Sequence, residues 1–300
     1  MRLKQLGNAR MGYIFVILSA LMFGSVSTLA KPIVSTLNPL LLSSIIYLIV
    51  SATLSPLALK KPFPKSKKNY TLILAIAVCG SILAPSMYFV GLEHASASDA
   101  ALIANGETFF SVLLAIAFFK ERLGKIGYLA TAMIFAGIII VTTDLDFSSI
   151  TLQQIHYKDW LLILSMFFWG IDNNLSRILA RTINVAKIAQ IKTGIGGAIL
   201  FFIAVFVYRV PIQIEASSIP AILILGVFGF AASLYFFMLG LNRIGTVRTS
   251  LIFSSSSVFG LVSAAIFLHE IISWYQVVAA IVMILGMYLM NRKESIINPV

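Results

Sequence analysis

The sequence predicts an all-α integral membrane protein with ten transmembrane helices, arranged as two inverted five-helix repeats. Three observations predict it: an apolar composition, ten apolar runs of spanning length, and a match between the two halves of the chain. Hydrophobic residues make up 59% of the 300 residues and charged residues 11%. A soluble domain carries roughly 25% charged residues, because it needs them to cover its surface. With a mean hydropathy of +0.98, this chain must turn apolar surface toward lipid, which excludes a soluble one- or two-domain protein.

A membrane helix needs roughly 20 apolar residues. That requirement places spans near 12–31, 38–59, 71–92, 97–119 and 124–143, a first repeat over 12–143. A second repeat over 159–291 has spans near 159–180, 186–208, 219–241, 247–268 and 273–291. Residues 1–11 precede them, 144–158 form a polar linker and 292–300 a tail. The start imitates a signal peptide, with Arg2, Lys4 and Arg10 before an apolar run and Ser27-Thr28-Leu29-Ala30 after it. The run is about 18 residues, too long for an ordinary signal core and long enough to span, so it reads as an uncleaved first span. The loop over 60–70 is rich in Pro and Lys; the other connections are mostly short, so neighbouring spans pack antiparallel.

Basic residues concentrate on the cytoplasmic side of membrane proteins. With both termini cytoplasmic, only Lys31, Lys158 and Arg209 of the 22 basic residues fall outside. An error in one span would scramble this split, so it supports the span count and a multi-pass protein of the cell membrane. The net charge of +11 is therefore a topology signal, and no nucleic-acid partner is expected. Cys79 is the single cysteine, and the three histidines, His94, His156 and His269, are scattered. No disulfide can form within the chain, and no metal site or cofactor is expected.

The halves match without gaps over long stretches. An offset of 146 pairs Ser19, Gly24 and Lys31 with Ser165, Gly170 and Arg177. An offset of 149 pairs Gly91-Leu92 with Gly240-Leu241, and Glu121 with Glu270. An odd number of spans per copy makes the copies insert in opposite directions, a construction common in secondary transporters, which bind substrate near the midplane. Leu21-Met22-Phe23-Gly24 and Phe167-Phe168-Trp169-Gly170 resemble the paired starts of EamA-type repeats of the drug/metabolite transporter superfamily. Residues Ala100-Ala101-Leu102-Ile103-Ala104-Asn105-Gly106-Glu107, with Glu121-Arg122-Leu123 beyond, are similar to that family's fourth-helix pattern, and the Glu270 segment is the counterpart in the second copy. The resemblance covers residues 12–291. The chain departs from it at Thr108, where the family often has Pro, and at Ser256, where glutamate is common. The resemblance implies in-facing termini, a central cavity lined largely by spans three, four, eight and nine with one and six nearby, and export or exchange of amino acids, metabolites or drugs.

Ionisable groups inside the membrane cost several kcal/mol unless paired or hydrated. Glu107 lies within about one residue of the middle of its span, and Asp172 about 4 Å from the middle of its own by helical rise. Each reads either as a substrate contact or proton carrier, with protons as coupling ion, or as a neutral acid tying helices together. Ser165, Trp169, Asp172 and Ser176 share one helix face, as do Ser81, Pro85 and Tyr88. Pro85 removes a backbone donor, which frees the carbonyl four residues back and kinks the span, as a gate or as packing. Ser250, Ser254 and Ser257 share a face of span nine, where small residues also serve ordinary helix packing. Asn105 and Ser254 are equivalent by the repeat, and both are cavity candidates. Asn105 and Glu107 stand about 200° apart on a regular helix, so span four must be buried on several sides. Lys31 and Arg177 read as snorkelling to the interface, and Lys192 and Arg248 as contacts for an anionic group.

These residues favour a secondary transporter working by alternating access. Tyr88, Trp169 and Tyr235, beside serines and two acids, suit a small amphiphilic solute such as an amino acid better than a polyanion, since no deep arginine cluster exists. The alternatives are an intramembrane enzyme or a lipid- or drug-handling protein. Against an enzyme, His269-Glu270 begins a metalloprotease-like motif but Ser273 stands in place of the second histidine. A channel would need charge rings or a repeated filter loop, which the sequence lacks.

Overall fold

The structure, a computed structural model, describes residues 2–64, 66–119, 123–145 and 157–293. Most of the linker over 144–158, the Glu121-Arg122 pair and the tail from residue 294 lie outside the described residues. Within them the chain is helical, and no strand occurs. The first half holds α1 (Arg2–Gly24), α2 (Val26–Val34), α3 (Pro39–Ala58), α4 (Lys67–Val78), α5 (Ala84–His94), α6 (Ala97–Ile103), α7 (Asn105–Phe119) and α8 (Lys125–Thr143). The second holds α9 (Tyr157–Leu179), α10 (Val185–Phe202), α11 (Ile219–Ile224), α12 (Ser233–Ile244), α13 (Thr246–Phe253), α14 (Ser256–Phe267) and α15 (Trp274–Lys293).

Seven helical stretches are long and apolar enough to cross a membrane: Arg10–Val34, Pro39–Ala58, Lys67–His94, Ala97–Phe118, Lys125–Thr143, Val185–Val207 and Ala216–Ile244. The other three predicted spans fall on helices that are shorter or more polar. Asp172, Asn173, Asn174 and Arg177 lower the hydropathy of α9. A turn at Ser254-Ser255 divides α13 from α14, and the apolar part of α15 is Trp274–Gly286. Leu59, Phe118, Phe206, Ile266, Phe267 and Trp274 remain exposed on the outside of the bundle, a surface that lipid would cover at no cost.

The offset between halves extends to the backbone. Asn38 caps α3, its Oδ1 accepting from the Leu40 and Leu41 N–H groups at 3.0 and 3.4 Å. Asn184, its partner by the 146 offset, caps α10 by accepting from Ala186 N–H at 3.0 Å. Such caps satisfy N–H groups that a helix start leaves without partners. A π-helical segment interrupts the third stretch of each half, at Cys79–Leu83 and at Leu225–Ala232. The fourth stretch of each half is broken, at Ala104 and at Ser254-Ser255. Helix packing repeats too: α3 lies on α10, α8 on α15, α1 on α12 as α9 on α5, and α9 on α7 as α1 on α13 and α14. The likeness breaks at the first stretch, where α1 and α2 part at Ser25 whereas α9 runs unbroken, and at the second, where α10 runs into a π segment at Ile203–Val207 that α3 lacks.

Candidate functional site

The site begins at a backbone carbonyl. In the π segment the N–H of Ala84 bonds the carbonyl of Cys79, five residues back. The next carbonyl in that register is Gly80, and its donor would be Pro85, which has no N–H. Gly80 O instead accepts from the Tyr47 hydroxyl at 3.1 Å and from Trp169 Nε1–H at 3.2 Å. The expectation that Pro85 frees the carbonyl four residues back is thus corrected by one residue, because the π turn lengthens the register. A side chain at Gly80 would collide with the Asp172 carboxylate, so glycine permits both the close approach and the exposed carbonyl.

Asp172 on α9 forms an ion pair with Lys192 on α10. Ser176, one turn along, donates to Asp172 Oδ1 at 2.9 Å. Asp172 is 3% exposed and Lys192 2%, so each charge depends on the other for its solvation. Glu107, in the first turn of α7, accepts on Oε1 from Asn173 Nδ2 at 2.7 Å. That amide also donates to Ser111 Oγ at 3.1 Å. Asn174 donates to the Ser111 and Gly170 carbonyls at 3.0 and 2.9 Å. Thr108 donates to Ser250 O at 2.8 Å, tying α7 to α13. The consecutive polar residues of α9 therefore serve two neighbours: Asp172 turns to α10, and Asn173 and Asn174 turn to α7.

Between these groups lies a cavity of about 50 Å³ bounded by Glu107, Asp172, Lys192, Trp169, Tyr47 and Phe23, with Phe230 and Phe253 among its further walls. Since liquid water takes about 30 Å³ per molecule, the space suits one or two waters and must widen to take anything larger. It combines an aromatic wall, an ion pair and a carboxyl held by an amide, so it can pair with cationic, anionic and apolar parts of a small solute.

Of the residues singled out in the sequence, Glu107, Asp172, Trp169 and Lys192 line this cavity. Pro85 acts on it through Gly80. Tyr88 packs on Trp169 with ring centroids 5.4 Å apart and lines a separate pocket of about 10 Å³ with Ser27 and Ser256. Asn105, just past the break at Ala104, donates to Met283 Sδ at 2.7 Å on α15 and points away. Ser81, Ser254 and Ser257 are buried outside the cavity lining; among the described residues the hydroxyls of Ser81 and Ser257 have no partner. Tyr235 is half-buried beside Phe236, off the cavity. Lys31 donates to the Leu92 and Glu93 carbonyls, both at 3.0 Å, at the end of α5. Sequence reasoning missed Tyr47, Phe23 and Asn173. Asn173 had a signal, an amide beside an acid within an apolar run, and Phe23 had one as the counterpart of Trp169 in the paired repeat starts; Tyr47 had none.

At one end of the bundle the Glu270 carboxylate accepts from Ala97 and Ser98 N–H, both at 2.9 Å, and from Ser98 Oγ at 2.5 Å. It caps α6 from the chain segment between α14 and α15. Gln276 reinforces the joint by donating to Asp99 Oδ1 at 2.7 Å.

The EamA-like transporter family matches residues 10–143 and 156–292, two tandem copies. An uncharacterized transporter of Methanothermobacter thermautotrophicus is 28% identical over 93% of this chain and 85% of its own length. The uncharacterized transporter YyaM of Bacillus subtilis is 24% identical over 73% of this chain and 72% of its own. A crystal structure 16% identical to the chain has the same fold, with a TM-score of 0.69 over 95% of this chain and 99% of that one.

Proposed function

Because this chain belongs to the EamA-like transporter family, a multi-pass membrane protein acting on a small molecule, we propose that it is a secondary transporter of small amphiphilic metabolites, an amino acid among them. It works by alternating access, in export or exchange across the cell membrane. The observation that carries this reading is the buried group of Glu107, Asp172, Lys192, Asn173 and Trp169 around one cavity. Such a concentration of ionisable and amide side chains is costly within a membrane and marks a solute or ion pathway. Glu107 is the proton-carrying carboxyl, with protons as coupling ion, and the aromatic wall holds the apolar part of the solute.

The architecture in this reading is ten spans, five in each inverted repeat over 12–143 and 159–291, with both termini cytoplasmic. Paired caps, paired π segments and paired helix contacts support it. Single cysteines at Lys61 and Arg181, in a Cys79→Ser background, should react with an impermeant thiol reagent from the cytoplasm, and one at Glu215 from outside. Labelling of Lys61→Cys and Arg181→Cys from opposite faces would refute the inverted repeat. Transport itself is tested by reconstituting the protein in liposomes. Saturable uptake, accelerated by solute loaded inside, is expected, and uptake that never saturates would indicate a channel.

A further inference from the structure

Phe23 stands one residue before the end of α1, and its ring borders two cavities at once. On one side is the central cavity with Glu107 and Asp172. On the other is the pocket of about 10 Å³ reaching Ser27 and Tyr88. Among the described residues, Phe23 is the one that both linings share. Thr28, the next residue along α2, lines a cleft of about 590 Å³ that extends to Glu215 and Phe267. Three spaces thus follow α1 and α2 in order, from the buried charges to a wide opening.

The ring that divides them has no polar tether. It touches Phe253, Phe230 and Trp169 with centroids 5.1, 5.9 and 6.0 Å apart. Trp169, its partner by the 146 offset, is tied to Gly80 O. An untethered phenyl can change rotamer without losing a hydrogen bond, whereas the indole must break one. The turn at Ser25, which interrupts the helix between α1 and α2, lies two residues beyond Phe23. Past the ring, Thr28 is 4% exposed and its hydroxyl is without a partner among the described residues. A buried hydroxyl ordinarily finds a partner, and a polar solute moving along α2 would supply one.

We propose that Phe23 is the movable partition between the central cavity and a route along α2 into the wide cleft, and that its bulk sets the largest solute that passes. The proposal rests on the transport reading above. The test uses the full chain in sealed vesicles, in the Cys79→Ser background, with a small membrane-impermeant methanethiosulfonate reagent. Ser27→Cys first identifies the face of the membrane that reaches the far side of the partition. Thr193→Cys, in the central cavity, is then labelled from that face. Phe23→Ala should raise its labelling rate about tenfold, as a barrier lowered by about 1.4 kcal/mol would, and Phe23→Trp should lower it. Phe236→Leu, which alters a ring outside both linings and away from Phe23, should leave the rate within about twofold.

Equal labelling rates with and without the Phe23→Ala change, in proteins that elute as one species in detergent, would overturn the partition. A Ser27→Cys thiol that reacts from neither face would do the same. Phe23→Leu repeats the measurement if the alanine variant does not fold. Labelling needs no knowledge of the solute, so the two readings fail separately. A wild type that carries nothing, yet opens on Phe23→Ala, sinks transport alone. A wild type that transports, with residue 23 indifferent in labelling and in size cut-off, sinks the partition alone.

Discussion

The two halves share a backbone plan and divide the chemistry between them. By the 146 offset, Val26 and Ile46 of the first half stand where Asp172 and Lys192 stand in the second. All four are buried, the first two as hydrocarbon and the second two as an ion pair. In the third stretch the asymmetry runs the other way. Both halves have a π segment, but Pro85 follows the first and Leu234 occupies its place after the second. The first half therefore offers a carbonyl acceptor at Gly80 and the Glu107 carboxyl, and the second offers an ion pair and amides. A repeat can keep its packing while only one copy bears the cost of a buried ion pair, because helix packing depends on shape and the site depends on a few side chains.

The strongest way to break this comparison is to split the ion pair. Lys192→Met leaves Asp172 buried and unpaired, and should cost about 3–5 kcal/mol of stability, seen as a collapse in melting temperature and yield. The double variant Asp172→Val, Lys192→Ile copies the first half into the second. It should recover most of the stability and lose transport. A double variant that transports normally would make the pair a structural strut.

The next effect is at Glu107, which has Ser256 as its counterpart by the 149 offset. Glu107→Gln keeps the shape and can still accept from Asn173, but cannot titrate. It should assemble normally and lose the dependence of flux on pH. Glu107→Leu leaves the Asn173 amide with only Ser111 and should destabilise by about 1–3 kcal/mol. A wild-type pH profile in Glu107→Gln would move the proton-carrying role to Asp172.

Smaller changes sharpen the contrast at the third stretch. Pro85→Ala supplies an N–H that competes for Gly80 O with Tyr47 and Trp169. Insertion should be normal and transport several-fold slower, an effect of about 1 kcal/mol on the barrier. Unchanged kinetics would leave Pro85 as packing. Tyr47→Phe removes one of the two donors and keeps the other, so a loss of about 0.5–1.5 kcal/mol in stability is expected. Thr193→Phe, at the counterpart position and in place of a threonine that bonds its own helix, tests whether the tyrosine-sized partner is wanted on one side only.

Much of the fold is legible in the sequence for one reason: lipid forces backbone polar groups to pair within the segment, so an apolar run must be a helix. Glu107 and Asp172 stand out because a carboxyl in such a run is rare. Lys192 is legible as a cation within a span, but its anion is Asp172, a contact made by the docking of α9 on α10 that no local pattern records. The π turn before Pro85 has no signature of its own, hence the shift from Ser81 to Gly80 as the freed carbonyl. Asn105 turns toward α15 because the helix breaks at Ala104, a residue that ordinarily favours helix. Tyr235 looks equivalent to Tyr88 in type, yet lies half-exposed, since helical spacing places a face without saying what meets it.

The ion pair also bears on how the protein feels membrane voltage. One elementary charge moved across 100 mV is worth about 2.3 kcal/mol. Asp172 and Lys192 sum to zero, so carrying them together through part of the field does almost no electrical work. Glu107 is held on Oε1 by a neutral amide and, when ionised, brings a charge that this amide does not cancel. In the proposed alternating-access cycle the field would act on that carboxylate and on the solute, while the pair beside them would stay electrically silent.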